Sequence, residues 1–144
     1  MPRIVALDVG DATVGVAATD ELGIAAHPVT TLRRGRGVKA DLRAVEALLE
    51  ELEAALVVVG MPLDPEGEEG PQAAKVRDFV ERLARRINAP VIAWDERYST
   101  CEAGERLLGA DVSRAKRKKV IDQAAAVVIL ESYLVSERER RAQP

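Results

Sequence analysis

The sequence predicts an α/β domain, a mixed five-stranded sheet with helices on its faces. Three short strand-like runs follow one another through tight turns at the start of the chain. From residue 38 onward, amphipathic helical stretches alternate with strand-like runs, the pattern of βαβ units. The run Leu56-Val57-Val58-Val59 is apolar without alternation, which marks a strand covered on both sides.

The first strand is Arg3-Ile4-Val5-Ala6-Leu7-Asp8-Val9-Gly10, an apolar run with one carboxylate near its far end. After the turn Gly10-Asp11-Ala12-Thr13, Val14 to Asp20 reads as its antiparallel hairpin partner. Ile24 to Leu32 is a third strand, and Pro28 assigns it to a sheet edge because proline cannot donate to a ladder. The loop Arg33-Arg34-Gly35-Arg36-Gly37 follows, with three arginines. Val38 to Glu53 is a helix whose inner face is Val38, Leu42, Val45, Leu49 and Leu52. Ala55 to Gly60 is the covered strand, and a loop rich in Pro, Gly and acids leads to Pro71, which opens the next helix at a position that tolerates proline. That helix has the inner face Ala73, Val76, Val80, Leu83 and Ile87. Val91-Ile92-Ala93-Trp94 is a short fifth strand ending in Asp95-Glu96-Arg97.

Ser99 and Glu102 form a capping box for a short helix that stops at Gly109. The last helix starts near Lys116, is apolar on nearly every side around Ala124 to Leu130, and gives way to a frayed polar tail, Glu137 to Pro144. The expected organisation is one domain over 1–136 with a tail over 137–144. Right-handed crossovers place the Leu56 and Ile92 strands parallel to the first. In open α/β sheets the functional crevice lies beyond the carboxyl ends of the strands, where Asp8, Gly60 and Asp95-Glu96 all stand.

A chain of 144 residues with 47% apolar and 31% charged residues has the makeup of an ordinary globular domain. Its length is enough to form a core without metal or disulfide. No apolar run approaches the ~18 residues of a membrane span, and no signal peptide opens the chain, so the expectation is a cytoplasmic protein with no membrane partner. Cys101 is the single cysteine, which excludes an internal disulfide and suits a reducing compartment. The lone histidine, His27, lies in a different element, which argues against a Cys–His catalytic pair. The net charge of −3 argues against a general nucleic-acid coating protein.

Four carboxylates stand in places that call for explanation. Asp8, Asp95 and Glu96 end strands, and Asp122 is embedded in the apolar stretch Val120 to Ala126. A carboxylate among apolar neighbours has to be paired, protonated or bound to a cation. Three alanines after Asp122 let its helix approach the sheet closely, so acids from two strand ends and one helix can converge. Oxygen ligands without a His or Cys cluster favour Mg²⁺ or Mn²⁺. Paired ions held this way clamp the attacking and leaving oxygens of a phosphodiester. The competing readings pair Asp122 with Lys118 one turn earlier and make Asp95-Glu96-Arg97 a solvated turn. Just ahead of Asp122 stands Arg114-Ala115-Lys116-Arg117-Lys118-Lys119. Cations at a helix start oppose its dipole, yet they suit phosphate contacts. The alternative is a solvated charged face. Arg33, Arg34 and Arg36 extend the same footprint, and Arg97 joins it. Aromatics make up only 3% of the chain, which favours backbone and shape recognition over base stacking.

Several of these segments together resemble the YqgF family, also called RuvX, Holliday-junction-resolvase-like proteins of the ribonuclease H fold. They are Leu7-Asp8-Val9-Gly10 with Val14-Gly15-Val16-Ala17, Val59-Gly60-Met61-Pro62-Leu63 with Glu69-Gly70-Pro71, Trp94 to Thr100, and Lys116 to Ala125. The resemblance spans nearly the whole chain. It implies a metal-dependent nuclease with catalytic, metal-binding acids at Asp8, Glu96 and Asp122. It also implies a cytoplasmic role in maturing the 5′ end of the small-subunit ribosomal RNA precursor, with junction resolution in DNA as the older assignment. Asp64 replaces a common asparagine and Tyr98-Ser99 the usual Leu-Thr, away from the implied ligands. Strand alternation favours Glu96 over Asp95 as the ligand. The expected partner is structured nucleic acid, pre-rRNA or branched DNA, bound by a monomer or homodimer. A non-cleaving nucleic-acid-binding module is the alternative from another class. An actin-like phosphotransferase, suggested by the Asp8–Val16 hairpin, needs two such domains, and this chain supplies one.

Overall fold

The structure is a computed structural model that describes residues 3–95 and 114–142, without the side chains of 114–123. The strands are β1 (Arg3–Val9), β2 (Thr13–Thr19), β3 (Ala26–Arg33), β4 (Ala54–Met61) and β5 (Val91–Asp95). The helices are α1 (Val38–Glu51), α2 (Pro71–Arg86) and a long α3 (Arg114–Ala142). The expected helix from Ser99 to Gly109 lies outside the described residues.

The sheet order is β3-β2-β1-β4-β5. β1 pairs antiparallel with β2 and parallel with β4, and β4 pairs parallel with β5. The mixed five-stranded sheet expected from the sequence is therefore the one observed. β3 sits at an edge, with Pro28 in it and a register shift opposite, between Val16 and Ala17. A proline there removes no interior ladder bond.

Two cores lie on the two faces of the sheet. Val5, Leu7 and Val9 of β1 pack with Val57, Val59 and Met61 of β4 beneath α1 and α2. Leu42, Val45 and Leu49 come from α1, and Ala73, Val76, Phe79, Val80 and Leu83 from α2. On the other face Ala6, Ala17 and Val58 meet Ala126, Ile129, Leu130, Tyr133 and Leu134 of α3. Small residues on that face of β1 and β2 let a helix backbone come close. Each fully buried Val, Leu or Ile contributes roughly 1.5–3 kcal/mol of transfer free energy.

α3 does not give way at Glu137. It continues to Ala142, because Arg138 donates to the Ile24 carbonyl at 2.6 Å and Arg140 pairs with Glu137 at 2.8 Å. The first of these bonds ties the helix end to the β2–β3 turn. That turn is shaped by the Asp20 carboxylate, which accepts the Ile24 N–H at 3.0 Å, and this bond holds Asp20 below the usual carboxylate range.

The Arg33–Arg36 loop does not act as a unit. Arg33 and Arg36 are exposed, but Arg34 turns inward, with a side chain only 17% exposed. Its Nε donates to Asp41 Oδ2 at 2.9 Å and its Nη1 to the Gly10 carbonyl at 2.5 Å, with the guanidinium 5.4 Å from the Phe79 ring centre. Arg34 thus clamps the β1–β2 turn to α1 and α2, and its charge is neutralised by Asp41, itself buried in the first turn of α1. Of the three loop arginines expected in a phosphate-facing footprint, Arg34 is thus the one engaged within the protein, while Arg33 and Arg36 stay at the surface.

Removing one member of an enclosed ion pair leaves the other charge buried. Arg34→Met is expected to lower stability by about 3 kcal/mol. The double variant Arg34→Met/Asp41→Leu should recover most of that loss, as read by urea unfolding. Equal losses in the two proteins would mean that the bond to Gly10, not the ion pair, carries the effect.

Candidate active site

Strand alternation decides which face each acid occupies. Ile4, Ala6 and Asp8 share the α3 side of the sheet, while Leu7 and Val9 face α1 and α2. Asp8 is half-buried at the carboxyl end of β1. Directly across the antiparallel ladder stands Gly15. On the parallel side, one step beyond the pair Leu7–Val59, stands Gly60. The positions flanking Asp8 on both neighbouring strands therefore carry no side chain. Gly60 in turn pairs with Trp94 of β5. The row across the sheet reads Gly15, Asp8, Gly60, Trp94, with the carboxylate between two buried glycines and an indole at the far side.

Trp94 is fixed to α3. Its Nε1 donates to Ser132 Oγ at 3.1 Å, and its ring meets Tyr133 edge-on at 5.4 Å between centroids. Burial, and after it the Glu137 charge, push the Tyr133 phenol above its ordinary pKa, so it stays protonated at neutral pH and serves as packing surface. Asp95 pairs in register with Met61, a member of the α1–α2 core, which puts it on the side of the sheet away from Asp8.

α3 runs antiparallel to β1. Its Arg138 reaches the β2–β3 turn, at the amino end of β1, where the Ile4 N–H donates to Thr19 Oγ1. Its Ala126 packs at the level of Ala6 and Ala17. Going back along the helix therefore leads toward the carboxyl end of β1. Lys116, Arg117, Lys118, Lys119 and Asp122 all belong to α3, and their side chains lie outside the described residues. Glu96 and Arg97 lie outside them altogether. Of the three acids expected to converge, Asp8 is the one whose side chain is described. Among the described residues no group of three His, Cys, Asp or Glu side chains could hold a metal ion. No helix among them is long and apolar enough to cross a membrane.

A cleft lies on the other face of the same strand end. Val9, Asp11, Arg34, Gln72, Lys75 and Phe79 are among the residues that line a cleft of ≈ 210 Å³. Sequence reading missed it. Its residues come from β1, the β1–β2 turn, the β3–α1 loop and two helices, and no local pattern announces such a meeting.

Comparison with known proteins places this arrangement. Residues 2–136 match the family model described as RuvX, Holliday junction resolvase. A protein of Thermoanaerobacter pseudethanolicus, named as a candidate pre-16S rRNA nuclease, is 45% identical over 139 residues, 96% of this chain and 99% of its own length. A protein of the same name from Symbiobacterium thermophilum is 49% identical over 132 residues, 92% of this chain and 91% of its own. In fold, Thermus thermophilus RuvC in complex with a Holliday junction is similar with a TM-score of 0.60, at 14% identity over 100% of this chain and 99% of that one. Fowlpox virus resolvase, bound to Holliday junction DNA, is similar with a TM-score of 0.51 at 15% identity, over 92% of this chain and 99% of that one. The RuvC-like architecture is thus shared with resolvases of the ribonuclease H fold, and by its own sequence the chain belongs to the RuvX family.

Proposed function

We propose that this protein is a divalent-metal-dependent nuclease that hydrolyses phosphodiester bonds in structured RNA, with pre-16S rRNA 5′-end maturation as its task. The observation that carries this reading is the setting of Asp8, half-buried at the carboxyl end of the central strand between two glycine positions and on the face that α3 covers. The names of the relatives supply the substrate.

Asp8, Glu96 and Asp122 would hold the ions, and an all-oxygen donor set suits Mg²⁺ or Mn²⁺. Three considerations support the grouping. From Ala6 to Asp8 is about 6.8 Å along a strand, and from Ala126 back to Asp122 is about 6 Å along a helix. Since Ala6 and Ala126 share one core, the two acids advance together toward the same end of the sheet. Strand alternation carried two residues past Trp94 assigns Glu96, rather than Asp95, to the face of Asp8. Finally, Gly15 and Gly60 place no side chain of their own beside the Asp8 carboxylate.

Bound as a pair, such ions supply charge stabilisation to the attacking and leaving oxygens of an in-line displacement. The chain itself orients and excludes. Asp8 is held by a strand covered on both faces, and Trp94, locked by Ser132 and Tyr133, walls the site on the β5 side. Arg33, Arg36, Arg97 and Lys116 to Lys119 would position the phosphate backbone. Cleavage of a Holliday junction is the second reading, favoured by the family description and the RuvC-like fold. The two are separated by assaying a pre-rRNA leader and a four-way junction side by side with each metal.

Asp8→Asn is nearly isosteric and removes one ligand charge. It should keep the parent's unfolding profile and lose more than the roughly 100-fold in rate that follows loss of a metal's supporting partners. Glu96→Gln should match it and Asp95→Asn should stay active; the reverse result would exchange the two acids.

Metal should also act on stability. Three clustered carboxylates repel when unoccupied, and the unfolded chain has no assembled site. Mn²⁺ or Mg²⁺ should therefore raise the melting temperature of the parent, and Asp122→Asn should blunt that rise while being neutral or stabilising in metal-free buffer. If Asp122→Asn instead severely destabilises the metal-free protein, pairing with Lys118 is the better account.

Alanine at Lys116, Arg117, Lys118 and Lys119 should weaken RNA binding. The log–log salt slope should fall by about 0.7–0.9 for each phosphate that the protein ceases to neutralise. An unchanged slope in a salt titration would make this cluster a solvated face.

A further inference from the structure

The unengaged charges of α1 run against its own stability. Lys39 stands in its first turn and Arg43 one turn later, both exposed, while Glu50 and Glu51 stand in its last turn, which holds no basic residue. A helix dipole favours the reverse order, and Lys39 and Arg43, four residues apart, also repel each other. The acids within reach on the same helix are engaged elsewhere. Asp41 accepts from Arg34 at 2.9 Å, and Glu46, three residues past Arg43, accepts from Arg86 at 3.0 Å. Lys39, Arg43 and the exposed loop residues Arg33 and Arg36 have no carboxylate partner among the described residues. By contrast, the exposed cations Lys75, Arg77 and Arg82 of α2 pair with Asp11, Glu69 and Asp78.

The four unmatched cations share one edge of the sheet. β3 runs parallel to β1, two antiparallel steps away, and Arg33 pairs with Thr13 at the edge where β1 ends. Arg34 fixes the start of α1 to that edge, because its guanidinium donates both to the Gly10 carbonyl and to Asp41. Gly10 is two residues beyond Asp8. From there Arg43 lies about 6 Å further along the helix than Lys39, on the order of two phosphate steps of a duplex strand at 3.4 Å each. Glu50 and Glu51 stand toward the opposite edge, where β4 begins beside Arg3.

We propose that the amino-terminal half of α1 is a backbone track for the substrate. Lys39 and Arg43, continuing from Arg33 and Arg36, neutralise phosphates of the segment that flanks the one held at Asp8. This deepens the nuclease reading and rests on it. Unmatched cations suit a polyanion, and their continuity with the edge that carries Asp8 selects nucleic acid among polyanions. The track reads no base, because phosphate contacts position a chain without specifying its sequence. α1 packs on the face of the sheet that α3 does not cover, so the substrate is one whose backbone continues past the cut onto the α1 side.

The test uses the full-length Asp8→Asn protein as parent, so that binding is read without cleavage. Its ligand is a double-stranded RNA with single-stranded ends, titrated across a salt series. Adding Lys39→Gln and Arg43→Gln should lower the log–log salt slope by about 1.4–1.8, the sum for two phosphates. The urea midpoint should stay at or above the parent's, since charges that oppose the dipole are removed. Arg85→Gln with Arg141→Gln removes the same charge from exposed positions at the opposite edge, and should leave the slope unchanged. Lys39→Arg with Arg43→Lys keeps both charges and should bind as the parent does. An unchanged slope in the Lys39/Arg43 glutamine variant, or an equal fall in the Arg85/Arg141 variant, overturns the proposal while RNA binding itself persists. A midpoint well below the parent's makes the two side chains structural and overturns it as well. Absence of any RNA binding in the parent overturns the nuclease reading along with it.

Discussion

β1 is covered on both faces, and that constraint governs everything placed around it. Its odd positions Val5, Leu7 and Val9 are committed to the α1–α2 core and its even positions to the α3 side. A one-residue slip would drive Asp8 into the Val59–Phe79 core and bring Leu7 out in its place, at a cost that no local gain offsets. The carboxylate is thus held in direction by some of the most deeply buried residues of the protein. Stability and site geometry share one cause here, which is why a substitution of Asp8 need not disturb the strand that carries it.

The same strand end serves two faces with opposite chemistry. On the α3 side, glycine positions at Gly15 and Gly60 flank a carboxylate, and Trp94 stands beyond them. On the α1–α2 side, apolar walls and matched charges surround an amide that has no partner among the described residues. Arg34 joins the β1–β2 turn, the start of α1 and the α2 ring Phe79 in one cluster.

Three arginines within four residues read alike on paper, yet only Arg33 and Arg36 remain at the surface. Arg34 is drawn inward because Asp41 is fixed in the first helical turn and the Gly10 carbonyl lies within its reach. Net charge on a loop is therefore a poor measure of the charge that loop offers a ligand. Likewise α3 reads as a helix that dissolves into a polar tail, but the bonds of Arg138 to a turn more than a hundred residues away, and of Arg140 to Glu137, extend it to Ala142.

By itself the sequence determined the elements and their parity. Strand and helix periods are local, so β1 to β5, α1 and α2 could be read within a residue or two, as could the edge position of β3 from Pro28. The apolar run of β1 put Asp8 near a strand end, and the family segments followed from the residues directly. The tertiary structure decided what depends on segments meeting. It showed that Gly15 and Gly60 flank Asp8 on the neighbouring strands, that Asp95 shares the side of Met61, that Arg34 is consumed by Asp41, and that residues from separate elements enclose a cleft. Meetings between residues far apart in the chain are set by register and packing, and neither leaves a periodic trace in one sequence.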